Sequence, residues 1–147
     1  MFAAPPSPYL SPVNATPNKN APERRLKVLV VEDTKVWRDR LVPLVNETPG
    51  VELIWAAESL TEAREILLMV RPDVVLLDLR LPDGNGLDLL REIKKSRPEV
   101  FVVVLTALDG PSVSPSCFAA GADAFLSKSS GLVDLPELLA SLVGSGQ

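Results

Sequence analysis

A short apolar run that ends at an aspartate is the feature that most constrains this chain. Val74 to Leu77 are all apolar, Asp78 follows them, and residues 79–86 read LRLPDGNG. Four apolar residues are typical of a strand buried on both faces, because a helix needs a longer pattern to bury one side. The Pro-Asp-Gly-Asn-Gly segment predicts a loop. We therefore expect Asp78 where a buried strand meets a loop, the edge at which open parallel sheets bind ligands.

Similar runs recur along the chain and alternate with helical patterns. The predicted strands are Leu26–Val31, Val51–Ala57, the run before Asp78, Val100–Leu105 and Asp123–Leu126. Five strands that alternate with helices predict a parallel sheet with right-handed crossovers and helices on both faces. The expected fold is a doubly wound α/β domain with a five-stranded parallel sheet of the flavodoxin-like type.

The helical patterns carry their own start and stop signals. Asp33 or Thr34 can cap the first helix, in which Pro43 predicts a bend or an early end. Ser59 and Glu62 form a capping box for the second helix, and Gly86 opens the third. A short fourth helix is expected with Ser114 as cap and Pro115 at its first position, and a last helix begins between Asp134 and Glu137.

Composition bounds the rest of the chain of 147 residues. Residues 1–24 are rich in proline, and we expect a disordered tail ahead of one domain at 25–145. A net charge of -4 argues against direct nucleic-acid binding, and no apolar run approaches the ~20 residues of a membrane helix. The single cysteine, Cys117, fits a reducing cytoplasm. The chain has no histidine, so it carries no phosphohistidine of its own.

Polar residues follow four of the predicted strands. In chain order these are Glu32 and Asp33, then Asp78, then Thr106, then Lys128. Parallel strands end at the same edge, so three carboxylates, a hydroxyl and an ammonium are expected together. Clustered carboxylates repel one another unless a cation lies between them, and hard oxygen ligands suit Mg²⁺. Asp78 could then be a nucleophile that becomes an acyl phosphate, with Thr106 and Lys128 binding the phosphoryl oxygens.

The chain resembles the response-regulator receiver domains of two-component signalling. The resemblance runs from Leu26 to about Val143 and is carried by VVED at 30–33, DLRLPDGNG at 78–86, TA at 106–107 and GADAFLSK at 121–128. It implies that Asp78 accepts the phosphoryl group and that Asp33 ligates Mg²⁺, with Glu32 acting nearby through water. It also implies that the Arg80 carbonyl completes the protein ligands, and that Phe125 is an aromatic switch whose ring turns inward as Thr106 moves.

Two departures from the family pattern affect the expected switch. Ser129 follows Lys128 where many members have a proline, which predicts a less constrained backbone at the lysine. Residues 112–116 are rich in proline and serine where many relatives carry a longer helix, so the partner surface is expected to differ.

The residues two positions after Asp78 and Thr106 bear on how long a phosphorylated form lasts. They are Arg80 and Leu108, and neither side chain can activate a water for hydrolysis. A long-lived phosphorylated form is therefore expected.

The resemblance also implies partners. These are a sensor histidine kinase or histidine phosphotransfer protein and a downstream protein target. A second copy of the chain is a further possible partner, in a dimer that forms on phosphorylation. Such a domain phosphorylates itself and can dephosphorylate itself, but it does not turn over an external substrate. The alternatives are a receiver-like interaction module that takes no phosphate and a fragment of a longer DNA-binding regulator.

Two other protein classes fit the residues poorly. Haloacid-dehalogenase-like phosphatases need a second aspartate two residues after the nucleophile, where this chain has Arg80. A flavodoxin needs a hydroxyl-rich phosphate loop after the first strand, where Glu32 and Asp33 would repel a phosphate.

Overall fold

The computed structural model describes residues 25–107 and 111–145. The predicted tail at 1–24 and Leu108 lie outside this described part. Within it, five parallel strands form one sheet: β1 (Leu26–Val31), β2 (Val51–Ala57), β3 (Val74–Leu77), β4 (Phe101–Thr106) and β5 (Ala124–Ser127). Their order in the sheet is β2-β1-β3-β4-β5. The predicted five-stranded parallel sheet is confirmed.

In the described part of the chain, five α-helices flank the sheet. They are α1 (Lys35–Glu47), α2 (Leu60–Met69), α3 (Gly86–Ser96), α4 (Val113–Ala119) and α5 (Leu135–Ser145), with a 3₁₀ turn at Leu132–Asp134. Across the described ranges, no helix has both the length and the apolar character needed to cross a membrane.

The sheet separates two apolar clusters because neighbouring residues of a strand point to opposite faces. In β1, Leu29 and Val31 pack in the cluster beneath α2, α3 and α4. Val28 and Val30 pack in the other cluster, with the buried residues of α1 and α5. The central strands are therefore buried on both faces, as their continuous apolar runs predict.

The order of the strands fixes where a crevice can form. From β1 the chain passes first to β2 on one side and then to β3 on the other, so the direction of winding reverses between β1 and β3. Doubly wound sheets bind ligands at such a reversal, beyond the carboxyl ends of the strands. The site residues that follow these two strands, Asp33 and Asp78, lie at this reversal.

Helix α1 departs from one expectation. Of the two outcomes predicted at Pro43, a bend or an early end, the early end is wrong, because the helix continues to Glu47. Leu41 and Val45 lie on either side of the proline and are 2% and 0% exposed. Each buried aliphatic side chain is worth roughly 1.5–3 kcal/mol, which offsets the backbone hydrogen bond that the proline removes.

The predicted helix caps hold in part. Thr34 lies at the cap position of α1, but its side chain makes no cap hydrogen bond. Ser59 accepts from the Glu62 amide at 3.1 Å, but the Glu62 carboxylate binds the Glu58 amide and the Trp55 indole N–H instead of the Ser59 amide. Helix α4 has Ser112 at its cap position, two residues before the predicted Ser114. The proline at 115 therefore lies within the first turn, where its missing N–H has no helical partner to lose.

Candidate functional site

Backbone hydrogen bonds carry the sheet pattern past the strand ends and hold the predicted site residues at one edge. The amide of Asp78 donates to the Val31 carbonyl at 3.1 Å, and the amide of Lys128 donates to the Thr106 carbonyl at 2.9 Å. The amide of Glu32 donates to the carbonyl of Ala57 in the neighbouring strand at 2.8 Å. The side chains therefore start from fixed backbone positions.

Four of these side chains are almost fully buried. Glu32 and Thr106 are each 1% exposed, and Asp78 and Lys128 are 6% and 5% exposed. The Lys128 ammonium forms an ion pair with Glu32 and lies 3.2 Å from Oδ2 of Asp78. A buried charge is strongly unfavourable unless it is paired, so one cation here compensates two carboxylates.

The electrostatics of Glu32 reflect this crowding. Burial raises the pKa of its carboxyl above the ordinary value, and the nearby charge of Asp78 raises that pKa further. The hydrogen bond from Lys128 and the Thr34 amide at 3.1 Å act in the opposite direction. Negative charge at this edge is thus only partly compensated by the chain's own groups.

Three carboxylates meet in a geometry that suits a metal ion. Glu32, Asp33 and Asp78 each offer an oxygen, and these oxygens lie within 4.8 Å of one another. Beside them is a cavity of about 510 Å³, whose walls are Asp33, Thr34, Trp37, Asp78, Arg80, Thr106, Ala107 and Lys128. Oxygen donors with room for water fit Mg²⁺, which keeps several waters when it binds to proteins.

The loop after Asp78 is held close to that residue by a glycine. Where the sequence predicted a loop, the structure has a short antiparallel ribbon of two strands with two residues each, Arg80–Leu81 and Gly84–Asn85. A Cβ on Gly86 would lie 2.3 Å from the Asp78 carbonyl oxygen, so no side chain fits there. The glycine therefore allows α3 to begin directly against the backbone of Asp78.

Asp83 fastens the same loop to α2, a role that sequence reasoning missed. Its carboxylate accepts from the Leu60 and Thr61 amides at 2.8 and 2.9 Å and from the Thr61 hydroxyl at 2.7 Å. These bonds, the hydroxyl first, lower the pKa of Asp83 to about 2. An aspartate in a turn is the only sequence signal, and it does not identify the distant helix.

Arg38 is a second residue that sequence reasoning missed. Its guanidinium donates to the carbonyls of Glu32 and Asp33 at 2.9 and 2.6 Å and lies 3.6 Å from the Glu58 carboxylate. The residue is 7% exposed. Its place on the helical stripe that contains Leu41 was an available signal, because an arginine among apolar stripe positions must bind something. It fixes the backbone that presents two of the three carboxylates.

Trp37 is the third residue whose place at the site sequence reasoning missed. The sequence places it on the apolar face of α1, and in the structure it is half-buried and borders the cavity. Its ring centroid lies 4.9 Å from the Lys128 ammonium, within the distance of a cation–π contact.

The remaining predicted residues lie as follows. The side chain of Arg80 is exposed at the rim of the cavity. Phe125 is half-buried on β5, beside Val104 of β4, and packs against the apolar cluster under α2, α3 and α4. Leu108 lies outside the described residues.

Comparisons with known proteins agree with this architecture. A family model described as the response regulator receiver domain matches residues 28–140. Among solved structures, the receiver domain of Francisella response regulator 1452 superposes with a TM-score of 0.75 at 24% identity, covering 84% of this chain and 100% of that chain. A CheY-like receiver domain protein from Methanospirillum hungatei superposes with a TM-score of 0.73 at 26% identity, covering 82% and 95%.

Curated relatives are longer than this chain. A protein-glutamate methylesterase/protein-glutamine glutaminase of Treponema denticola is 36% identical over 72% of the chain. The DNA-binding transcriptional activator DevR/DosR of Mycobacterium tuberculosis is 35% identical over 70%, and response regulator GacA of Pseudomonas syringae is 32% identical over 83%. The matched parts are 29%, 48% and 56% of these relatives. Because the family model covers more than half of the sequence, the chain belongs to the response regulator receiver domain family.

Proposed function

We propose that the chain is a phosphoacceptor that receives a phosphoryl group on Asp78. The observation that carries this proposal is that Asp78, Asp33 and Lys128 line one cavity, with the buried Glu32 carboxylate close behind them. Asp78 is 6% exposed yet borders open space, so its carboxylate is shielded and still accessible to a phosphodonor. A carboxylate that only capped a helix would have no need of a buried lysine.

The proposed reaction is a transfer from a phosphohistidine. A carboxylate oxygen of Asp78 attacks phosphorus, the phosphorus–nitrogen bond breaks, and the released imidazole takes up a proton. The 147 residues contain no histidine, so the phosphoryl group comes from a histidine outside this sequence, on a sensor kinase or a phosphotransfer protein, or from a small phosphodonor. Loss of the phosphoryl group by hydrolysis would need a water held in line with phosphorus.

We assign the binding of Mg²⁺ to Asp33, Asp78 and the Arg80 carbonyl, with Glu32 acting through water. When bound, the ion neutralises negative charge on the transferring group. Asp33 is exposed and supplies its oxygen from the open side, whereas Glu32 is buried behind the site. The site thus has the Asp33 carboxylate on its solvent side and the Glu32 carboxylate on its inner side.

Lys128 and Thr106 have complementary parts in this proposal. The ammonium beside Oδ2 of Asp78 can follow the new charge onto the phosphoryl oxygens, since Lys is a compact and mobile cation. The Thr106 hydroxyl at the end of β4 donates a hydrogen bond to the same group. Phe125, on the neighbouring strand β5, then turns inward and changes the face that a downstream protein contacts.

The proposed setting is the cytoplasm, where a kinase or phosphotransfer protein and a downstream protein target are the partners. The free thiol of Cys117 is buried, which suits a reducing compartment. The names of the relatives include a methylesterase and a DNA-binding activator, and their activities belong to proteins of greater length. Phosphorylation-dependent dimerisation is an additional outcome that light scattering would detect.

The test compares three forms of the chain with acetyl phosphate and Mg²⁺. Wild type should gain one hydroxylamine-sensitive phosphoryl group, and Asp78→Asn should gain none. Asp88→Asn, an exposed position on α3, is the matched control and should label like wild type. Full labelling of the Asp78→Asn variant would refute the assignment. No labelling of wild type by any phosphodonor would favour the interaction-only alternative.

A further inference from the structure

Lys128 has an aromatic partner in addition to its two carboxylates. Its ammonium lies 4.9 Å from the centroid of the Trp37 ring, and the lysine side chain is 3% exposed. Among the described residues, the polar partners of this ammonium are Glu32 and Asp78. An ammonium has three N–H donors, so two directions face carboxylates and the indole face lies close by.

The strength of the attraction between the Lys128 ammonium and the Trp37 ring depends on how far the contact is buried. A cation–π contact in water is weak, but it strengthens when the cation is desolvated, and tryptophan provides the strongest aromatic face. Trp37 is the third residue of α1, and Arg38 beside it is anchored to the carbonyls of Glu32 and Asp33. The first turn of the helix therefore presents the ring from a fixed backbone.

The three partners of Lys128 respond differently to a metal ion. A divalent cation held by the carboxylates of Asp33 and Asp78 would compete with the ammonium for the same negative charge. The indole face has no formal charge and is not a ligand for a hard cation. Of the three contacts, the one to Trp37 is thus the one for which a metal ion would not compete.

We propose that Trp37 is a positioning residue that holds the Lys128 ammonium beside Asp78 when a metal ion engages the carboxylates. The indole acts through the lysine and does not touch the phosphoryl group. Part of this inference rests on the proposed function, because the lysine's task is to pair with phosphoryl oxygens. The contact itself is independent of that task.

The first experiment uses Mg²⁺ alone and needs no phosphorylation. Methylene protons of Lys128 that lie over an indole are shifted upfield in the NMR spectrum, and Lys128→Gln identifies the signal. The shift should persist at saturating Mg²⁺ in wild type and be absent in Trp37→Leu. If saturation with Mg²⁺ removes the shift in wild type, the lysine leaves the ring and the proposal is wrong.

The second experiment separates the electrostatics of the ring from its shape. Trp55→Phe leaves one tryptophan, which is then replaced by mono-, di- and trifluorinated tryptophan, each with a weaker negative face. The guanidinium of Arg40 also lies over this ring, 5.4 Å from its centroid, so the series is made in an Arg40→Gln background. The rate of labelling by acetyl phosphate should fall stepwise, by about tenfold over the series, because the shape is kept while the cation–π attraction to Lys128 declines. The same labels at Trp55 in a Trp37→Phe protein are the control and should change nothing.

The outcomes distinguish this inference from the proposed function. A flat rate over the fluorinated series, with unchanged labelling in Trp37→Leu, would overturn the role of Trp37. Partial recovery of the rate in Trp37→Phe relative to Trp37→Leu would support it. If wild type takes up no phosphoryl group, the proposed function fails, and the NMR result alone decides whether the indole holds the lysine.

Discussion

The Lys128 ammonium lies 3.2 Å from Oδ2 of Asp78 and also pairs with Glu32, so one buried cation joins two carboxylates from different strand ends. Removing a partner from a buried ion pair is costly because an uncompensated charge remains. Lys128→Met should therefore lower the free energy of unfolding by about 3 kcal/mol without metal. Urea denaturation measures this.

The same prediction has an internal control. Glu32→Gln combined with Lys128→Met removes one of the two stranded charges, so the double variant should recover more than half of the loss. Addition of Mg²⁺ should also stabilise Lys128→Met more than wild type. A single variant as stable as wild type would mean that solvent, and not the lysine, compensates the carboxylates.

Asp33→Ala should affect metal affinity and stability in opposite directions. The variant loses a carboxylate from the group of three, so its Mg²⁺ affinity should fall about tenfold or more. Repulsion with Glu32 and Asp78 is relieved, so the metal-free melting temperature should rise. The rise should be small, because Asp33 is exposed and solvent screens its charge.

The control for that variant is Asp39→Ala, an exposed aspartate of α1 that pairs with Lys35 at 2.7 Å. It should alter neither Mg²⁺ affinity nor labelling by acetyl phosphate. A clearly lower metal-free melting temperature for Asp33→Ala than for Asp39→Ala would contradict the repulsion that we infer at the site.

Because of Asp83, the free energy of unfolding should depend on pH in the acidic range. The folded pKa is about 2 and the ordinary value is 3.8, so the folded state favours the ionised form. The stabilisation is fully present above the ordinary value and is lost as pH falls through about 2. At neutral pH the urea midpoint should be highest for wild type, lower for Asp83→Asn and lowest for Asp83→Ala.

The difference between wild type and Asp83→Ala should shrink as the pH is lowered through that range. An NMR titration of the Asp83 carboxyl carbon measures the pKa directly. A titration midpoint at the ordinary value would show that the bonds to Leu60 and Thr61 do not persist in solution.

The phosphorylated form should be long-lived. Arg80 lies at the rim of the cavity and can donate to phosphoryl oxygens, but it cannot accept a proton from an attacking water. Arg80→Asn, Leu108→Asn and Leu108→Glu should each shorten the lifetime, whereas Arg91→Asn on α3 should not. Wild type that loses its phosphoryl group as fast as these variants would refute this account of signal lifetime.

The strands and the edge residues were accessible from sequence because local signals specify them. Val74 to Leu77 are continuous and bounded by aspartates, and Leu26–Val31 matches β1 residue for residue. Parallel winding then brings the residues after each strand to one edge. The topology alone therefore predicts that five residues lie close together: Glu32, Asp33, Asp78, Thr106 and Lys128.

The contacts that orient those residues were not accessible, because they join positions far apart in sequence. Asp83 binds amides 22 and 23 residues earlier, and Trp37 meets Lys128 only after all five strands are in place. The continuation of α1 past Pro43, where an early end was one of two predicted outcomes, was also not accessible, because tertiary burial outweighs a local helix-breaking signal.

The fastening of Asp83 to α2 has a consequence for the order in which the chain acquires structure during synthesis. Ser59 can cap α2 as soon as that helix emerges from the ribosome, but the Leu60 and Thr61 amides receive their acceptor only when residue 83 has emerged too. By then β3 and Asp78 have also emerged. The contact that holds the first turn of α2 therefore forms together with the loop of Asp78, and a nascent chain whose residue 83 is still inside the ribosome lacks it.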